Sequence, residues 1–341
     1  MRASVPRSWI FIGLARDLPP GTVQSLDLPS SPRVVFRTIE GAWVVTDAHC
    51  PHVGTHLGQG GTVDGDCIRC PLHGLRFDAQ GQCRSERPEA SRLKLRSHPV
   101  VERGGMVFTW FDPQGGEPDY ALPELDTTGW RPMRRRTERL ELPMEEPLEV
   151  HAVDISHNET LHRELDVEPV DVFEVRGPMT HASLTMRHPA TPAGAWILRA
   201  LGVRDGHVQT EVEVTTVGLG YQHIRSTVMS MGLVVNQFML PVPRGANEVD
   251  MNVLYSMRQL SRDGLPWGLK LLPLSMLEPL FDRAGYGELM AATDEHTRLW
   301  TRKRHFDTPG FLPGDEDLQR YRAWADGFYA PAAEAPTDSP H

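Results

Sequence analysis

Two short segments of this chain, Cys50-Pro51-His52 and Cys70-Pro71-Leu72-His73, decide the fold of its first part. Each segment contributes one cysteine and one histidine, a proline follows each cysteine, and seventeen residues separate the two segments. Thiolates and imidazoles are strong ligands for transition metals. Proline restricts the backbone of both segments, which favours a fixed ligand geometry. The pattern therefore predicts two ligand loops around one metal centre.

One cysteine and one histidine in each arm suit a Rieske iron–sulfur centre, in which two thiolates hold one iron and two imidazoles hold the other. Such a centre carries one electron at a time, at a higher potential than an all-cysteine cluster. Zinc is the main alternative, but zinc sites usually repeat Cys-x-x-Cys or His-x-x-x-His, and neither repeat is present here as a pair of arms. We therefore assign a [2Fe-2S] cluster to four residues: Cys50, His52, Cys70 and His73.

The surroundings of these segments agree with this assignment. Several glycines, which adopt positive φ without steric cost, allow the loops to fold tightly; they are Gly54, Gly58, Gly60, Gly61, Gly65 and Gly74. Cys67 forms a Cys-x-x-Cys with Cys70, which leaves a redox disulfide as an alternative. We favour a buried thiol on a strand for Cys67 and a structural role for Cys83.

Composition limits the classes of protein. A chain of 341 residues with 40% hydrophobic residues is expected to form about two domains. A net charge of −10 argues against nucleic acid as a partner, and no apolar run is long enough for a membrane span. The first residues lack a secretory pattern and the few cysteines are largely assigned to metal, so we expect a cytoplasmic protein.

The order of predicted elements gives the domains. A β-hairpin is predicted around Glu40-Gly41, and a second strand pair around Arg103-Gly104-Gly105. A stretch rich in proline, glycine and acids at 112–132 is expected to hold the boundary. We predict domains at 1–115 and 116–329 and a disordered tail at 330–341. In the second domain, strands are predicted at 171–176, 182–187, 208–217, 226–240 and 248–257, and helices at 150–163 and 274–303.

A second group of candidate ligands lies at 151–162, where His157 and His162 follow Asp154. Two imidazoles and one carboxylate can bind ferrous iron on one face and leave positions for dioxygen and substrate. Five residues correspond to about 140° around a regular helix, so both histidines reach one metal only if the helix widens or ends between them. His151 and His181 could line the pocket, but we assign neither.

The chain resembles the oxygenase component of Rieske non-haem iron oxygenases, and more closely the group containing 3-ketosteroid 9α-hydroxylase and the Rieske sterol desaturases. The resemblance extends from Trp9 to about Tyr329. Its motifs are Ala48-His49-Cys50-Pro51-His52, Ile68-Arg69-Cys70-Pro71-Leu72-His73-Gly74, Val153-Asp154-Ile155-Ser156-His157, Arg322-Ala323-Trp324 and Phe328-Tyr329.

The resemblance implies an α+β chain, with an N-terminal all-β Rieske domain and a helix-grip catalytic domain built on a central antiparallel sheet. It also implies a homotrimer in which the cluster of one subunit serves the mononuclear iron of its neighbour. His157 and His162 fall on the iron ligands of the family. Asp154 falls on the acid that bridges a cluster histidine to an iron histidine, and a carboxylate between two imidazoles can fix both rings.

The third iron ligand departs from the family, which normally has an aspartate four residues before a tryptophan. Counting back from Trp300 gives His296. We assign His296 as the third ligand, but two alternatives stay open. Glu295 or Asp294 could reach the metal, although on a regular helix they lie about 100° and 200° away from that position. Otherwise the mononuclear site is weakened or lost, with His296 a solvated surface residue.

We therefore predict a terminal oxygenase of a multicomponent monooxygenase, which activates O2 at a mononuclear Fe(II). Electrons would come from NAD(P)H through a separate reductase or ferredoxin. By resemblance the substrate is apolar and possibly polycyclic. Hydroxylation is the default outcome, whereas desaturation, dealkylation and cyclisation would use the same oxidant and are not separated by the sequence. The alternative is a Rieske electron-transfer protein with an inactive catalytic-type domain, and it is motivated by the missing acid at position 296.

Overall fold

The computed structural model describes residues 5–29, 31–85, 87–189, 207–229, 232–262, 265, 267–306 and 308–329. The tail predicted at 330–341 lies outside these residues. The chain divides into two compact units, the first made of 1–126, 242–246 and 329–341 and the second of 127–241 and 247–328. No helix in the described ranges is long and apolar enough to cross a membrane.

The strands of the first unit form three antiparallel sheets, with the orders β1-β10-β9, β2-β3-β4-β8 and β5-β6-β7. Their bounds are β1 (Ser8–Leu14), β2 (Val23–Leu26), β3 (Arg33–Arg37), β4 (Trp43–Asp47), β5 (Thr62–Asp64), β6 (Cys67–Arg69), β7 (Arg76–Phe77), β8 (Ser97–His98), β9 (Val100–Arg103) and β10 (Met106–Phe111). The only helical turns in the described part of this unit are 3-10 turns at Ala15–Asp17 and Pro88–Arg92. The first unit is therefore all-β, as predicted.

The two predicted strand pairs of this unit differ in outcome. The hairpin around Glu40-Gly41 is confirmed, because β3 and β4 pair antiparallel on either side of it. The pair around Arg103-Gly104-Gly105 is confirmed only for β9 and β10. The strand predicted just before Arg103 is divided into β8 and β9, and β8 pairs with β4 in another sheet. Pro99 separates β8 from β9, and proline has no N–H to donate to a ladder, which explains the change of sheet.

One seven-stranded antiparallel sheet forms the second unit, in the order β11-β17-β16-β15-β14-β13-β12. Its strands are β11 (Arg134–Leu140), β12 (Leu165–Arg176), β13 (Met179–Pro189), β14 (His207–Val217), β15 (Tyr221–Val228), β16 (Leu233–Gly245) and β17 (Glu248–Met257). The helices are α1 (Glu146–Val153), α2 (Ser156–Thr160), α3 (Trp267–Lys270), α4 (Leu274–Trp300) and α5 (Glu316–Asp326). The central antiparallel sheet of the predicted α+β fold is confirmed.

Two predictions for the second unit are wrong in detail. The single strand at 226–240 is two strands, β15 and β16, which pair as a hairpin with Val228 opposite Leu233. Gly232 in this turn has φ +57, a conformation that glycine adopts without strain. The continuous helix at 150–163 is likewise divided into α1 and α2, and the break at Asp154 shapes the site described below.

The packing of the second unit holds α4 against the sheet. Leu277 of α4 belongs to the same buried cluster as Tyr255 and Met257 of β17. Asp282 of α4 pairs with Arg134 of β11, which fixes the helix along the edge of the sheet. These contacts place the C-terminal half of α4, with His296 and Trp300, beside the unit's other candidate ligands.

Candidate metal centres

The two predicted cluster loops have the same backbone design. In each loop the amide of the cysteine donates to the carbonyl five residues later, at Thr55 and Leu75, over 2.9 and 2.8 Å. The glycine four residues after each cysteine donates back to the cysteine carbonyl over 3.0 Å. Both glycines, Gly54 and Gly74, have positive φ, of +79° and +70°. The two loops are therefore matched, and each needs glycine at this position.

These loops bring the four predicted ligands together with the cysteines inside and the histidines outside. Cys50 and Cys70 are buried in the core of the first unit, whereas His52 and His73 are exposed. The two histidine Nδ1 atoms lie 3.2 Å apart, and their rings meet edge to face. Two nitrogens bound to one metal at about 2.1 Å in adjacent positions are about 3 Å apart. The geometry fits two imidazoles on a single outward-facing iron.

Burial raises the pKa of the Cys50 thiol to about 11, and the nearby Cys70 acts in the same direction. Coordination to iron would overcome this raised pKa, because a thiol that binds a metal is deprotonated outright. Cys67 and Cys83 are buried free thiols, and the Sγ of Cys67 donates to Asp66. The interpretation of Cys67 as a strand thiol is confirmed, since it lies on β6 without a disulfide partner.

The break between α1 and α2 orients the second group of ligands. The Asp154 carboxylate accepts hydrogen bonds from Ser156 Oγ and the backbone N–H of His157, and so begins α2. The Asp154 carbonyl accepts from His157 Nδ1. A carbonyl can only accept, so the proton lies on Nδ1 and Nε2 carries the lone pair. His157 Nε2 is buried and has no hydrogen-bond partner among the described residues.

His162 and His296 complete the predicted set, because α2 ends before His162 and frees that side chain. The Nε2 atoms of His162 and His296 lie 3.3 Å apart. Glu295 accepts from His162 Nδ1 over 2.8 Å, which again leaves the lone pair of the histidine on Nε2. Ring centroids of His157 lie 5.4 Å from those of His162 and of His296. The structure therefore places His162 directly beside His296 and brings the three predicted rings near one another, while the ligand atoms that lie mutually closest belong to His157, His296 and His151 rather than to His162.

The side chains of Asp294, Glu295 and His296 point in different directions. His296 is 4% exposed, so the interpretation as a solvated surface residue is wrong. Asp294 is directed elsewhere, since its carboxylate pairs with Arg136 over 2.6 Å. Glu295 contacts the His162 ring from outside rather than adding its own oxygen to the group of nitrogens. Of these three neighbouring side chains, His296 is the one that faces the other imidazoles.

A fourth histidine, His151 of α1, lies beside His157 and His296; we considered it from the sequence as a pocket-lining residue but did not assign it as a ligand. One nitrogen from each of His151, His157 and His296 lies within 4.8 Å of the others. The ring centroid of His151 is 4.8 Å from that of His296 and 5.8 Å from that of His157. His151 lies six residues before His157 in the sequence. This spacing brings the two rings together only because of the helix break at Asp154, which was not predicted.

The surroundings favour the neutral form of His151, His157 and His296. Burial lowers the pKa of His151 to about 3, with smaller contributions from His157 and His162. Burial likewise lowers the pKa of His296 and of His157. A neutral imidazole is the form that binds metals. Several lone pairs directed into one buried space, with no proton between them, form a donor set suited to a divalent transition metal.

Helix α1 is held in place by buried charges. Arg322 of α5 contacts Glu149 through two hydrogen bonds of 2.6 and 3.0 Å and reaches Glu146 at 3.3 Å. Lys303 and His305 also contact Glu146, whose side chain is 1% exposed. Because both carboxylates lie on α1, this network fixes the helix that carries His151.

Comparison with known families agrees with the two units. Residues 8–99 match the family described as Rieske [2Fe-2S] domain. Residues 109–271 match the family described as 3-ketosteroid 9alpha-hydroxylase C-terminal domain. The first match contains all four predicted cluster ligands. The prediction of a [2Fe-2S] domain rather than a zinc domain is therefore confirmed.

Whole-length relatives are steroid-modifying oxidoreductases. Cholesterol 7-desaturase nvd of Xenopus laevis is 27% identical, over 95% of this chain and 72% of that protein. The oxygenase component of 3-ketosteroid-9-alpha-monooxygenase of Rhodococcus rhodochrous is 24% identical, over 97% of this chain and 83% of that protein. The alignments thus include both units.

Solved structures share the fold at low identity. Dicamba monooxygenase bound to dicamba superposes with a TM-score of 0.61 at 18% identity, over 96% of this chain and 98% of that one. NdmA of Pseudomonas putida CBB5 with caffeine gives a TM-score of 0.62 at 15% identity, over 93% and 89%. These likenesses concern the architecture alone.

Proposed function

We propose that this chain, an oxidoreductase of the Rieske oxygenase family, activates dioxygen at a mononuclear iron bound by His157, His162 and His296. The observation that carries the proposal is the convergence of these three imidazoles in the second unit. Two of them, His157 and His162, have their Nδ1 protons fixed by acceptors, so that the lone pairs of Nε2 are available to a metal.

The residues have separate roles in this proposal. His157, His162 and His296 bind the metal, and ferrous iron there would supply the positions at which dioxygen is reduced. Glu295 holds His162 in the tautomer that binds metal and places a negative charge next to the ring. Trp300 packs on His296 and shields it from water. The cluster ligands Cys50, His52, Cys70 and His73 hold the electron carrier.

The proposal also includes the source of the electrons and the assembly. A separate reductase or ferredoxin would deliver electrons from NAD(P)H to the cluster one at a time. In a homotrimer, Asp154 would connect the two centres by holding His157 Nδ1 with its backbone carbonyl and accepting from a cluster histidine of a neighbouring subunit with its carboxylate. The exposed edge formed by His52 and His73 supports this arrangement, because the ligands of the outward iron are accessible to another protein.

The names of the relatives support the substrate class that we propose. Both whole-length relatives carry sterol or steroid substrates in their names, which supports an apolar, polycyclic substrate for this chain. One of them is named a desaturase and the other a monooxygenase. The same pair of metal centres can therefore accompany either outcome, and hydroxylation is the outcome we propose.

The experiment that tests the function begins with composition. Protein purified without oxygen and resupplied with ferrous iron is expected to contain about three irons for two acid-labile sulfides, one more iron than a cluster alone. With a surrogate reductase it should then consume NADH and O2 only in the presence of a sterol or steroid. About two irons for two sulfides, with no substrate-dependent oxygen consumption, would favour the electron-transfer alternative.

A further inference from the structure

We propose that His151 is a fourth nitrogen ligand of the mononuclear centre, so that its metal is held by imidazoles alone. This inference rests on the proposed function, because it adds a ligand to the same site. The three histidines assigned from the sequence follow the ligand positions of the family, whereas His151 lies on a different helix, α1, one turn before the break at Asp154.

The position of His151 is the first support. Its ring lies against two of the other imidazoles, those of His157 and His296, and the residue as a whole is half-buried. The indole of Trp300 closes a further side, at 6.3 Å between centroids. Within the described residues, His151, His157 and His296 form a group in which one ligand atom from each lies within 4.8 Å of the other two.

The chemistry of the His151 ring is the second support. Its Nδ1 is buried without a well-aligned hydrogen-bond partner in the described residues, although the backbone of Pro147, one turn earlier, interacts with the ring. Buried polar atoms without a partner are rare and call for an explanation such as a bound ion. His157 Nε2, which faces the same group, is also without a partner in the described part of the chain. A single metal in contact with both rings would account for the two together.

The distances allow one metal to serve the group. With bonds of about 2.1 Å, ligand nitrogens on opposite sides of a metal are about 4.2 Å apart and adjacent ones about 3 Å. The 3.3 Å between His162 and His296 fits adjacent positions. The separations within the group of His151 are at most 4.8 Å, about 0.6 Å more than opposite ligands and up to about 1.8 Å more than adjacent ones. The side chains would therefore have to move closer together when a metal binds.

Four imidazoles would change the centre in two ways. No carboxylate oxygen would touch the metal, and the nearest assigned negative charge, Glu295, would act through His162. Four protein ligands would also leave one position fewer on the metal than three. The site would then bind dioxygen or a substrate atom in a more restricted geometry than a centre with three protein ligands.

The test uses the full-length protein with its cluster intact, its mononuclear iron removed and Co(II) added. Co(II) binding is followed by its ligand-field absorption, which reports ligand type and number. The variants are His151→Ala and the larger His151→Leu, which keeps the site filled if the alanine variant is unstable. His223→Ala is the control, because His223 is another buried histidine of the second unit and contacts Asn236 and Phe238 instead of this site. His157→Ala is the reference for loss of an assigned ligand.

We expect both His151 variants to bind Co(II) about tenfold or more weakly, with shifted ligand-field bands. Added imidazole should restore the bands of His151→Ala, because it can occupy the space of the deleted ring. His223→Ala should keep the wild-type spectrum. Wild-type binding and bands in both His151 variants, with binding lost in His157→Ala, would overturn the fourth ligand alone. A wild-type protein that binds no Co(II) would overturn the mononuclear site itself, and the fourth ligand with it.

Discussion

The indole of Trp300 stacks on the imidazole of His296, with ring centroids 4.8 Å apart and ring planes 12° apart. Both residues are buried and lie one turn apart near the end of α4. Parallel contact between two flat rings fixes the plane of the imidazole and restricts its rotation. The direction of His296 Nε2 toward His162 is therefore set by packing as well as by the helix.

Replacing Trp300 by leucine should loosen this ring and lower the affinity of the mononuclear site about tenfold. Trp300→Phe is the matched control, since a phenyl ring can still stack. The measurement is iron retained after gel filtration, relative to acid-labile sulfide, which reports the cluster separately. Equal iron retention in the leucine variant and the wild type would show that stacking does not position His296.

Removing the Glu295 carboxylate should weaken the mononuclear site without abolishing it. Glu295→Ala leaves His162 Nδ1 without its acceptor, and we expect metal affinity to fall by about 10- to 100-fold. Glu295→Gln keeps an acceptor oxygen but no charge and should lie between the alanine variant and the wild type. His296→Ala should empty the site. If Glu295→Ala empties the site and His296→Ala does not, Glu295 is the direct ligand.

Asp154 has a local role that can be separated from the proposed bridge. Asp154→Asn keeps an oxygen able to accept from Ser156 and His157, so α2 should still form. Loss of the charge should nevertheless slow reoxidation of the reduced cluster by oxygen and substrate, by about tenfold or more, while both metal centres stay filled. Rapid mixing with absorbance detection measures this rate, and Ser156→Ala is the control for the helix start. A wild-type rate in Asp154→Asn would exclude the bridge.

The first unit should be sensitive to a methyl group at Gly81. This glycine has φ +76, and a Cβ there would lie 1.7 Å from the carbonyl oxygen of Leu95. Gly65 has φ +67 with nothing within 4 Å of its Cβ position, so it isolates the backbone effect. We expect Gly65→Ala to lower the free energy of unfolding by about 1 kcal/mol. Gly81→Ala should lower it by about 3 kcal/mol or more, as measured by urea unfolding, and equal losses would contradict the steric argument.

The buried charge network predicts a large difference between two arginines of α5. Arg322→Ala leaves Glu149 buried without its bidentate partner and should lower the free energy of unfolding by about 3 kcal/mol. Arg320→Ala removes an exposed pair with Asp317 together with a long hydrogen bond and a ring contact to Phe173, and should cost about 1 kcal/mol. Urea unfolding followed by circular dichroism measures both. A similar small effect for the two variants would mean that Lys303 compensates for the loss of Arg322.

The cluster could be predicted from the sequence because its ligands are local. Cys50 and His52 lie in one loop, and the glycine at the fourth position after the cysteine marks the turn that closes it. The second loop repeats the same signals. The short spacing of the ligands and the glycines at the turns were enough to predict the cluster, since the two loops carry all four ligands.

The second site was only partly predictable, because its geometry depends on contacts far apart in the chain. Glu295 could be seen as a candidate ligand, but its contact with His162 spans 133 positions. The break at Asp154 was missed since Asp154-Ile155-Ser156 contains no proline or glycine and the carboxylate itself begins the next helix. Without that break, His151 and His157 lie about 120° apart on a regular helix, so the helical pattern does not place them on one face.

The imidazole at position 296 also has a consequence at the level of the gene. Aspartate codons, GAT and GAC, differ from histidine codons, CAT and CAC, only in the first base. A single nucleotide change at this position therefore exchanges the acid typical of the family for the histidine found here, with no intermediate residue. Lineages could move between a carboxylate-containing centre and an all-nitrogen centre in one mutational step, and His296→Asp reverses that step in the laboratory.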